Sequence, residues 1–123
     1  MRNAVNLERC FDKFSDTWSP KIVAELNGQH VKLAKLDGEK CPWHAHAQED
    51  EMFLVVHGTL DIHLRKEVVT VRAGEFYVVP KQVEHRVVPR EFTKVLLFEP
   101  ASTAHTGNVK SEITVEKYDR IDP

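Results

Sequence analysis

The stretch "CPWHAHAQEDE", residues 41–51, sets two histidines two positions apart and a glutamate five positions after the second. Imidazole and carboxylate groups together suit divalent transition metals, so His44, His46 and Glu51 are candidate metal ligands. On an extended strand His44 and His46 point to the same face, whereas Glu51 has the opposite parity. We therefore expect a kink or turn in the polar "AQED" segment, residues 47–50.

Around this stretch the chain alternates short β-rich runs with turn signals such as Asn27-Gly28 and Asp37-Gly38. The run "TLDIHL", residues 59–64, places its aliphatic side chains on one face and its polar side chains on the other. A single sheet of this many strands would leave one face and two edges unprotected, so the pattern favours an all-β sandwich or small barrel. The eight runs are "KIVAEL", "HVKLAKL", "EMFLVVH", "TLDIHL", "VVTVRA", "EFYVVP", "HRVV" and "TKVLLFE".

Residues 6–14 have a different periodicity, because their apolar side chains recur at helical spacing after Asn6, which can cap a first turn. They predict a short amphipathic helix. We accordingly expect an N-terminal helix and lead-in over residues 1–19, a barrel over residues 20–102, and a C-terminal tail over residues 103–123. The tail is mostly polar, and it either packs on the barrel or extends it.

Composition excludes several classes of partner. The 123 residues include 17 Lys and Arg against 19 Asp and Glu, and a formal charge of -2 offers no basic excess to bind a phosphate backbone. No stretch approaches the roughly 20 apolar residues that a membrane span needs. Charges near the start interrupt any signal-type apolar run, so we expect a cytoplasmic protein that binds neither nucleic acid nor membrane. In that reducing compartment Cys10 and Cys41 are expected to be free thiols.

The spacing around the histidine pair matches a known sequence motif. It reads Gly38-x5-His44-x-His46-x4-Glu51-x6-Gly58, and it resembles the first motif of the cupin family at every specified position. The glycines fall at predicted turns, where a residue free to adopt positive φ is favoured.

A second stretch resembles the second cupin motif in part. It runs Gly74-x5-Pro80-x-Gln82-x2-His85-x3-Pro89, and it keeps the glycine, proline and histidine of that motif. Gln82 replaces the second glycine, and Pro89 replaces the asparagine. These two replacements affect the expected shape of the local turn, whereas the metal-binding histidine of the motif is retained. His85 is the best candidate for a fourth ligand.

The resemblance is to small single-domain bacterial cupins. It implies an all-β fold, a single antiparallel double-stranded β-helix, also called a jelly-roll barrel, with the short N-terminal helix added. It also implies one divalent transition metal per chain, held by His44, His46, Glu51 and His85. Iron, manganese or nickel are favoured over zinc, cobalt or copper, because six-coordination leaves two positions open whereas tetrahedral zinc would be closed by four ligands. The segment "EPASTAHTGN" resembles a subgroup labelled mannose-6-phosphate isomerase-like.

The function that the resemblance favours is a metal-dependent enzyme that acts on a small polar molecule by isomerase, lyase or hydratase chemistry. Glu51 is a candidate ligand and base, and Tyr77, His57 and His63 are candidate proton carriers. Two alternatives stay open: an iron- or copper-dependent dioxygenase, and a non-catalytic module that binds or senses a small molecule.

Two further expectations concern surfaces. Small cupins commonly pair through their sheets, and the apolar runs "FLVV" and "VLLF" have residues on both faces of a predicted sheet, so we expect a homodimer. His30 and His105 belong to neither motif, and we expect them to be exposed or hydrogen-bonded.

Overall fold

Two β-sheets with a shared apolar core form the bulk of the computed structural model, which describes residues 3–123. The first two residues of the predicted N-terminal lead-in therefore lie outside the described residues. The elements are α1 (Leu7–Phe11), β1 (Lys21–Leu26), β2 (Gln29–Leu36), β3 (Glu51–His57), β4 (Thr59–Leu64), β5 (Val68–Arg72), β6 (Phe76–Val79), β7 (His85–Pro89), β8 (Thr93–Pro100) and β9 (Asp119–Arg120).

The sheet order brings distant parts of the sequence together. Six strands form the larger sheet in the order β6-β3-β8-β2-β1-β9, and three form the smaller one in the order β5-β4-β7. All the pairings are antiparallel except β1 with β9. The eight predicted β runs are all strands, which confirms a nearly all-β architecture consistent with a jelly-roll cupin fold.

The main core lies between the two sheets. Alternate residues of β3 and β4 supply it, with Val55 1% exposed and Leu60 and Ile62 fully buried. This is the inward face that period-two alternation predicts for a half-buried strand. Cys41 joins the same core, and Cys41 and Cys10 are both free and buried.

Helix α1 covers part of the outer face of the larger sheet. It is shorter than the predicted 6–14 segment, although it starts as predicted, with the Asn6 side chain accepting a hydrogen bond from the Arg9 N–H. A helix of this length is not stable alone, so its stability comes from packing Cys10 and Phe11 against Val23 and Leu33. Among the described residues, no helix has the length and apolar character to traverse a lipid bilayer.

The C-terminal segment after β8 packs against the larger sheet. Its two-residue strand β9 pairs with the start of β1, and Thr103 and Thr106 are each only 2% exposed. The Tyr118 hydroxyl donates a hydrogen bond to the Thr103 carbonyl at 2.9 Å, which ties the end of the segment to its beginning. These contacts hold the segment beside the candidate metal centre.

Candidate metal centre

Backbone pairing brings the two cupin-like motifs together. The His44 N–H donates to the His85 carbonyl at 3.0 Å, and the His85 N–H donates to the His44 carbonyl at 2.9 Å. This is an isolated bridge, so His44 and His46 do not lie on the extended strand that we assumed in assigning them to one face. Pro42 has no N–H to contribute to a ladder, which disfavours a regular strand here. The predicted turn before Glu51 is present as a bend at residues 47–48.

Four buried side chains converge at this junction. One potential ligand atom from each of His44, His46, Glu51 and His85 lies within 4.8 Å of the others. The Oε1 atom of Glu51 is 3.4 Å from Nε2 of His46 and 3.4 Å from Nε2 of His85. Two donors about 2.1 Å from a common ion are about 3.0 to 3.4 Å apart at octahedral to tetrahedral angles. The spacing therefore suits a shared metal ion better than direct hydrogen bonds.

The backbone orients two of the imidazoles. Nδ1 of His44 is 2.8 Å from the Pro42 carbonyl, and Nδ1 of His85 is 2.9 Å from the Val83 carbonyl. A ring nitrogen facing a carbonyl must carry the proton and donate it, which leaves the Nε2 lone pair of each ring for a metal.

Several atoms in this cluster are buried without a partner. Within residues 3–123, Nε2 of His46, Nε2 of His85 and Oε1 of Glu51 are buried and have no hydrogen-bond partner. Leaving such a group unsatisfied costs about 1–3 kcal/mol. A divalent cation would satisfy all three atoms at once, so the residues present fit a metal.

The electrostatics favour the protonation states that metal ligands need. Burial, reinforced by His85, lowers the pKa of His44 to about 4, so this ring is neutral at pH 7. Burial alone would raise the pKa of Glu51, but the imidazoles of His46 and His85, each 3.4 Å from its Oε1 atom, bring that pKa well below its ordinary value. A neutral imidazole and an ionised carboxylate are the ligating forms.

A small cavity adjoins the cluster, and we call it the inner chamber. Its volume is about 40 Å³, and it is lined by His44 and Glu51, by apolar core residues, and by His105 and Thr106 of the C-terminal segment. A cavity needs a volume of about 10–15 Å³ to hold one water molecule, so the chamber has room for a few water molecules.

Behind Glu51 lies a buried ion pair that the sequence analysis did not identify. Lys32 Nζ is 2.8 Å from Glu99 Oε1, with side chains 0% and 2% exposed, and 3.4 Å from the centroid of the Tyr118 ring. Burial, together with the charge of nearby Glu51, raises the pKa of Glu99. Strand parity was the available signal, because Lys32 alternates in phase with the inward residue Ala34.

The candidate proton carriers His57, His63 and Tyr77 are not members of the group of four ligand residues. Glu51 belongs to the cluster, but His57 is exposed at the end of β3, beyond a register shift between Val55 and His57. His63 is half-buried on β4, and Tyr77 is half-buried on β6 and packs against the main core. A catalytic role for His57, His63 and Tyr77 stays a prediction.

The departures from the second cupin motif have a local explanation. Gln82 has φ 69°, so it adopts the left-handed conformation that a glycine would take more easily, and its N–H donates to the His46 carbonyl at 2.7 Å. Pro89 ends β7 as a buried residue opposite Leu60. The turn beside the metal cluster therefore forms despite the substitutions.

The fold and the buried group of three histidines and one carboxylate define a β-rich protein of the cupin type with a candidate metal site. Residues 30–99 match the family Cupin_2, described as a cupin domain, and the chain belongs to this family.

Two solved structures resemble the whole domain. A cupin-2 domain containing protein from Shewanella frigidimarina NCIMB 400 is 43% identical with a TM-score of 0.77, covering 79% of this chain and 94% of that one. The protein NMB1881 from Neisseria meningitidis is 29% identical with a TM-score of 0.72, covering 80% of this chain and 100% of that one.

A curated relative matches over a shorter length. The uncharacterized protein YdbB of Bacillus subtilis (strain 168) is 37% identical over 65 residues, or 52% of this chain. The match spans 57% of the length of that protein.

Proposed function

We propose that this cupin is a metal-dependent enzyme that acts on a small polar molecule. The observation that supports the proposal is the convergence of unpartnered, buried ligand atoms from His46, Glu51 and His85 beside the inner chamber. When bound, a divalent ion would supply Lewis-acid chemistry, lowering the pKa of an attached water or hydroxyl group.

The residues around the chamber have complementary roles. Glu51 brings one negative charge to three neutral imidazoles, so a divalent centre would retain a net charge near +1 and attract anionic or oxygen-rich ligands. Apolar residues that line the chamber, Trp18 and Phe53 among them, keep bulk water away and strengthen electrostatic interactions there. This environment suits proton transfer in isomerisation, elimination or hydration.

The donor set also supports a choice of metal. Imidazole nitrogen with a carboxylate oxygen suits iron, manganese or nickel, which commonly take six ligands and would leave two positions open. Tetrahedral zinc would be closed by four protein ligands, as structural zinc sites are. We therefore propose iron, manganese or nickel over zinc, cobalt or copper.

A substrate screen tests the enzymatic proposal. The purified chain is loaded with each candidate ion and incubated with a panel of sugars, sugar phosphates and hydroxy acids, with product formation followed by NMR. We expect turnover with at least one ion, and loss of turnover in the metal-free protein and in His85→Ala. If the fully loaded protein leaves the whole panel unchanged, the enzymatic proposal fails.

The size of the inner chamber supports a second candidate function. A volume of about 40 Å³ holds water but not a sugar, so without movement of the lining the metal would serve a non-catalytic module that binds or senses only a ligand small enough to replace those waters. Tight binding of a small molecule without turnover in the same screen would favour this function.

A further inference from the structure

The C-terminal segment 101–109 docks directly on the loop that carries the metal ligands. The N–H of Ala45, the residue after His44, donates to Oδ1 of Asn108 at 3.1 Å, and the Asn108 N–H donates to the Ala45 carbonyl at 3.3 Å. Gly107, with φ 56°, packs so closely that a Cβ atom there would lie 2.2 Å from the Ala45 oxygen and 3.1 Å from Cδ2 of His44. The segment is thereby fixed against the candidate metal centre.

This docking places His105 and Thr106 between two cavities. One is the inner chamber, and the other, which we call the outer cavity, has a volume of about 510 Å³. Both residues line both cavities. The outer cavity falls in the range of about 300–1,000 Å³ that small-molecule sites occupy. A ligand that reaches the metal from the outer cavity would therefore pass these two side chains.

The hydrogen bond to the His105 ring determines which ring nitrogen carries the proton and can donate it to a ligand. The Val115 N–H donates to Nδ1 at 3.0 Å, so Nδ1 is the unprotonated nitrogen. Burial lowers the pKa of His105 to about 4, which makes the ring neutral at pH 7 and puts its proton on Nε2. Within residues 3–123 this nitrogen has no hydrogen-bond partner, so its N–H is available to a ligand.

Thr106 is less available for ligand binding than His105. Its hydroxyl donates to the Val109 carbonyl and lies 2.6 Å from Oγ1 of Thr114. These contacts stabilise the turn of the C-terminal segment. Of the two residues that separate the cavities, His105 is therefore the one with a free donor.

The charge around the outer cavity indicates the class of ligand. Its lining includes one carboxylate, Glu116, and three cationic side chains, Lys110, Lys117 and Arg120. Lys110 pairs with Glu116 at 3.3 Å, while Arg120 pairs with Glu25. Lys117 keeps its positive charge without a carboxylate partner among these pairs. Its charge, together with the net positive charge of a metal centre, favours a small anion with several oxygens, such as a hydroxy acid.

We propose that His105 is a substrate-contacting residue whose Nε2–H donates a hydrogen bond to an oxygen of a small hydroxy acid that reaches the metal from the outer cavity. This inference rests on the proposed function. It assigns part of the ligand site to the C-terminal segment, outside both cupin motifs.

The test uses the full chain loaded with cobalt(II), whose visible spectrum reports ligand binding, and titrates it with glycolate. We expect wild type, His105→Leu, His105→Gln and the exposed-turn control Lys66→Leu each to bind about one cobalt per chain. Losing the hydrogen bond in His105→Leu should weaken glycolate binding about tenfold. His105→Gln presents an amide N–H and should stay within about threefold of wild type, and Lys66→Leu should bind as wild type does.

The outcomes distinguish the two proposals. If wild type binds cobalt but not glycolate, or if His105→Leu binds glycolate as tightly as wild type, the role of His105 is wrong and the metal site stands. Equal weakening in His105→Leu and His105→Gln, or loss of cobalt from His105→Leu, would assign His105 a packing role and overturn the contact. A wild-type chain that binds no cobalt contradicts both proposals.

Discussion

Gly107 packs closely against the loop that carries His44 and His46. Gly107→Ala would place a methyl group 2.2 Å from the Ala45 oxygen, so the segment must shift. We expect a loss of about 2–4 kcal/mol in the free energy of unfolding, combining overpacking with the left-handed backbone penalty, and weaker metal binding. Urea denaturation and metal analysis measure both effects.

Gly74 provides the matched control for this substitution. It also has a positive φ, 86°, but a Cβ atom there would meet nothing within 4 Å. Gly74→Ala should therefore lose only the backbone contribution, about 1–2 kcal/mol, and retain its metal. Equal losses in the two variants would show that the close approach of Gly107 is not important.

His105 should also make stability depend on pH. Its pKa is lowered from an ordinary value near 6.5 to about 4, first by burial, with Lys32 and His46 acting in the same direction and Glu51 opposing. Between pH 6.5 and pH 4, His105 binds a proton in the unfolded chain but not in the folded chain. The stability that neutral His105 contributes is therefore fully present above pH 6.5 and is lost as the pH falls toward 4. Between pH 7 and 5 the loss from His105 is about 2 kcal/mol.

Chelator-treated protein checks this pH dependence by urea denaturation at several pH values. The control is His105→Gln, which has no titrating group at this position and should lose about 2 kcal/mol less than wild type over the same interval. Parallel pH profiles for the two proteins would contradict a buried, neutral His105.

The site residues differ in how far the sequence could predict them. His44, His46, Glu51 and His85 follow from motif spacing, because each lies at a fixed distance from a turn glycine or proline. His105 has no such reference point. Its position depends on how the C-terminal segment docks on the metal-ligand loop. The sequence does not reveal that docking, so it indicates only an exposed or hydrogen-bonded histidine.

Strands β2 and β8 place a buried ion pair behind the metal cluster. Removing one partner leaves the other charge buried, so Lys32→Met alone should lower the free energy of unfolding by about 3–5 kcal/mol. The double variant Lys32→Met/Glu99→Leu removes both charges and should recover a large part of that loss. Chemical denaturation of the single and double variants measures the difference.

An additive loss in the double variant would contradict coupling between Lys32 and Glu99. If the double variant recovers stability but binds metal more weakly, the pair also helps to hold Glu51, whose charge acts on Glu99. Unchanged metal binding would limit the pair to a structural role.

The elements were more predictable than their local geometry. Alternating polarity and turn residues predict all eight strands, because each strand buries one face. The segment that carries His44 and His46 forms only a bridge with β7, since its shape is set by Pro42 and by pairing with distant residues. Helix α1 ends earlier than its periodicity suggests, because the sheet, rather than helix propensity, stabilises it.

At the scale of the whole molecule, we propose a homodimer that pairs through the sheet edge at β6. This edge strand exposes Phe76 by 62% and Val78 by 43%, an apolar edge that a monomer would leave in water. Sedimentation should give twice the chain mass of 14.1 kDa. Phe76→Lys/Val78→Glu should shift the protein to the mass of a single chain.

A wild-type protein that sediments at 14.1 kDa at high concentration contradicts this proposal. A double variant that remains dimeric would place the interface elsewhere. Val68→Lys offers a control, because Val68 is 52% exposed on the smaller sheet and should not affect an interface at β6.

The measurement that tests the central claim most directly is the metal content of the chain purified without a chelating column. We predict about one iron, manganese or nickel ion per wild-type chain, at least tenfold less in His85→Ala, and an unchanged content in His63→Ala, whose histidine lies outside the ligand cluster. A wild-type chain without metal, or a metal content that His85→Ala leaves unchanged, would contradict the four-ligand metal centre.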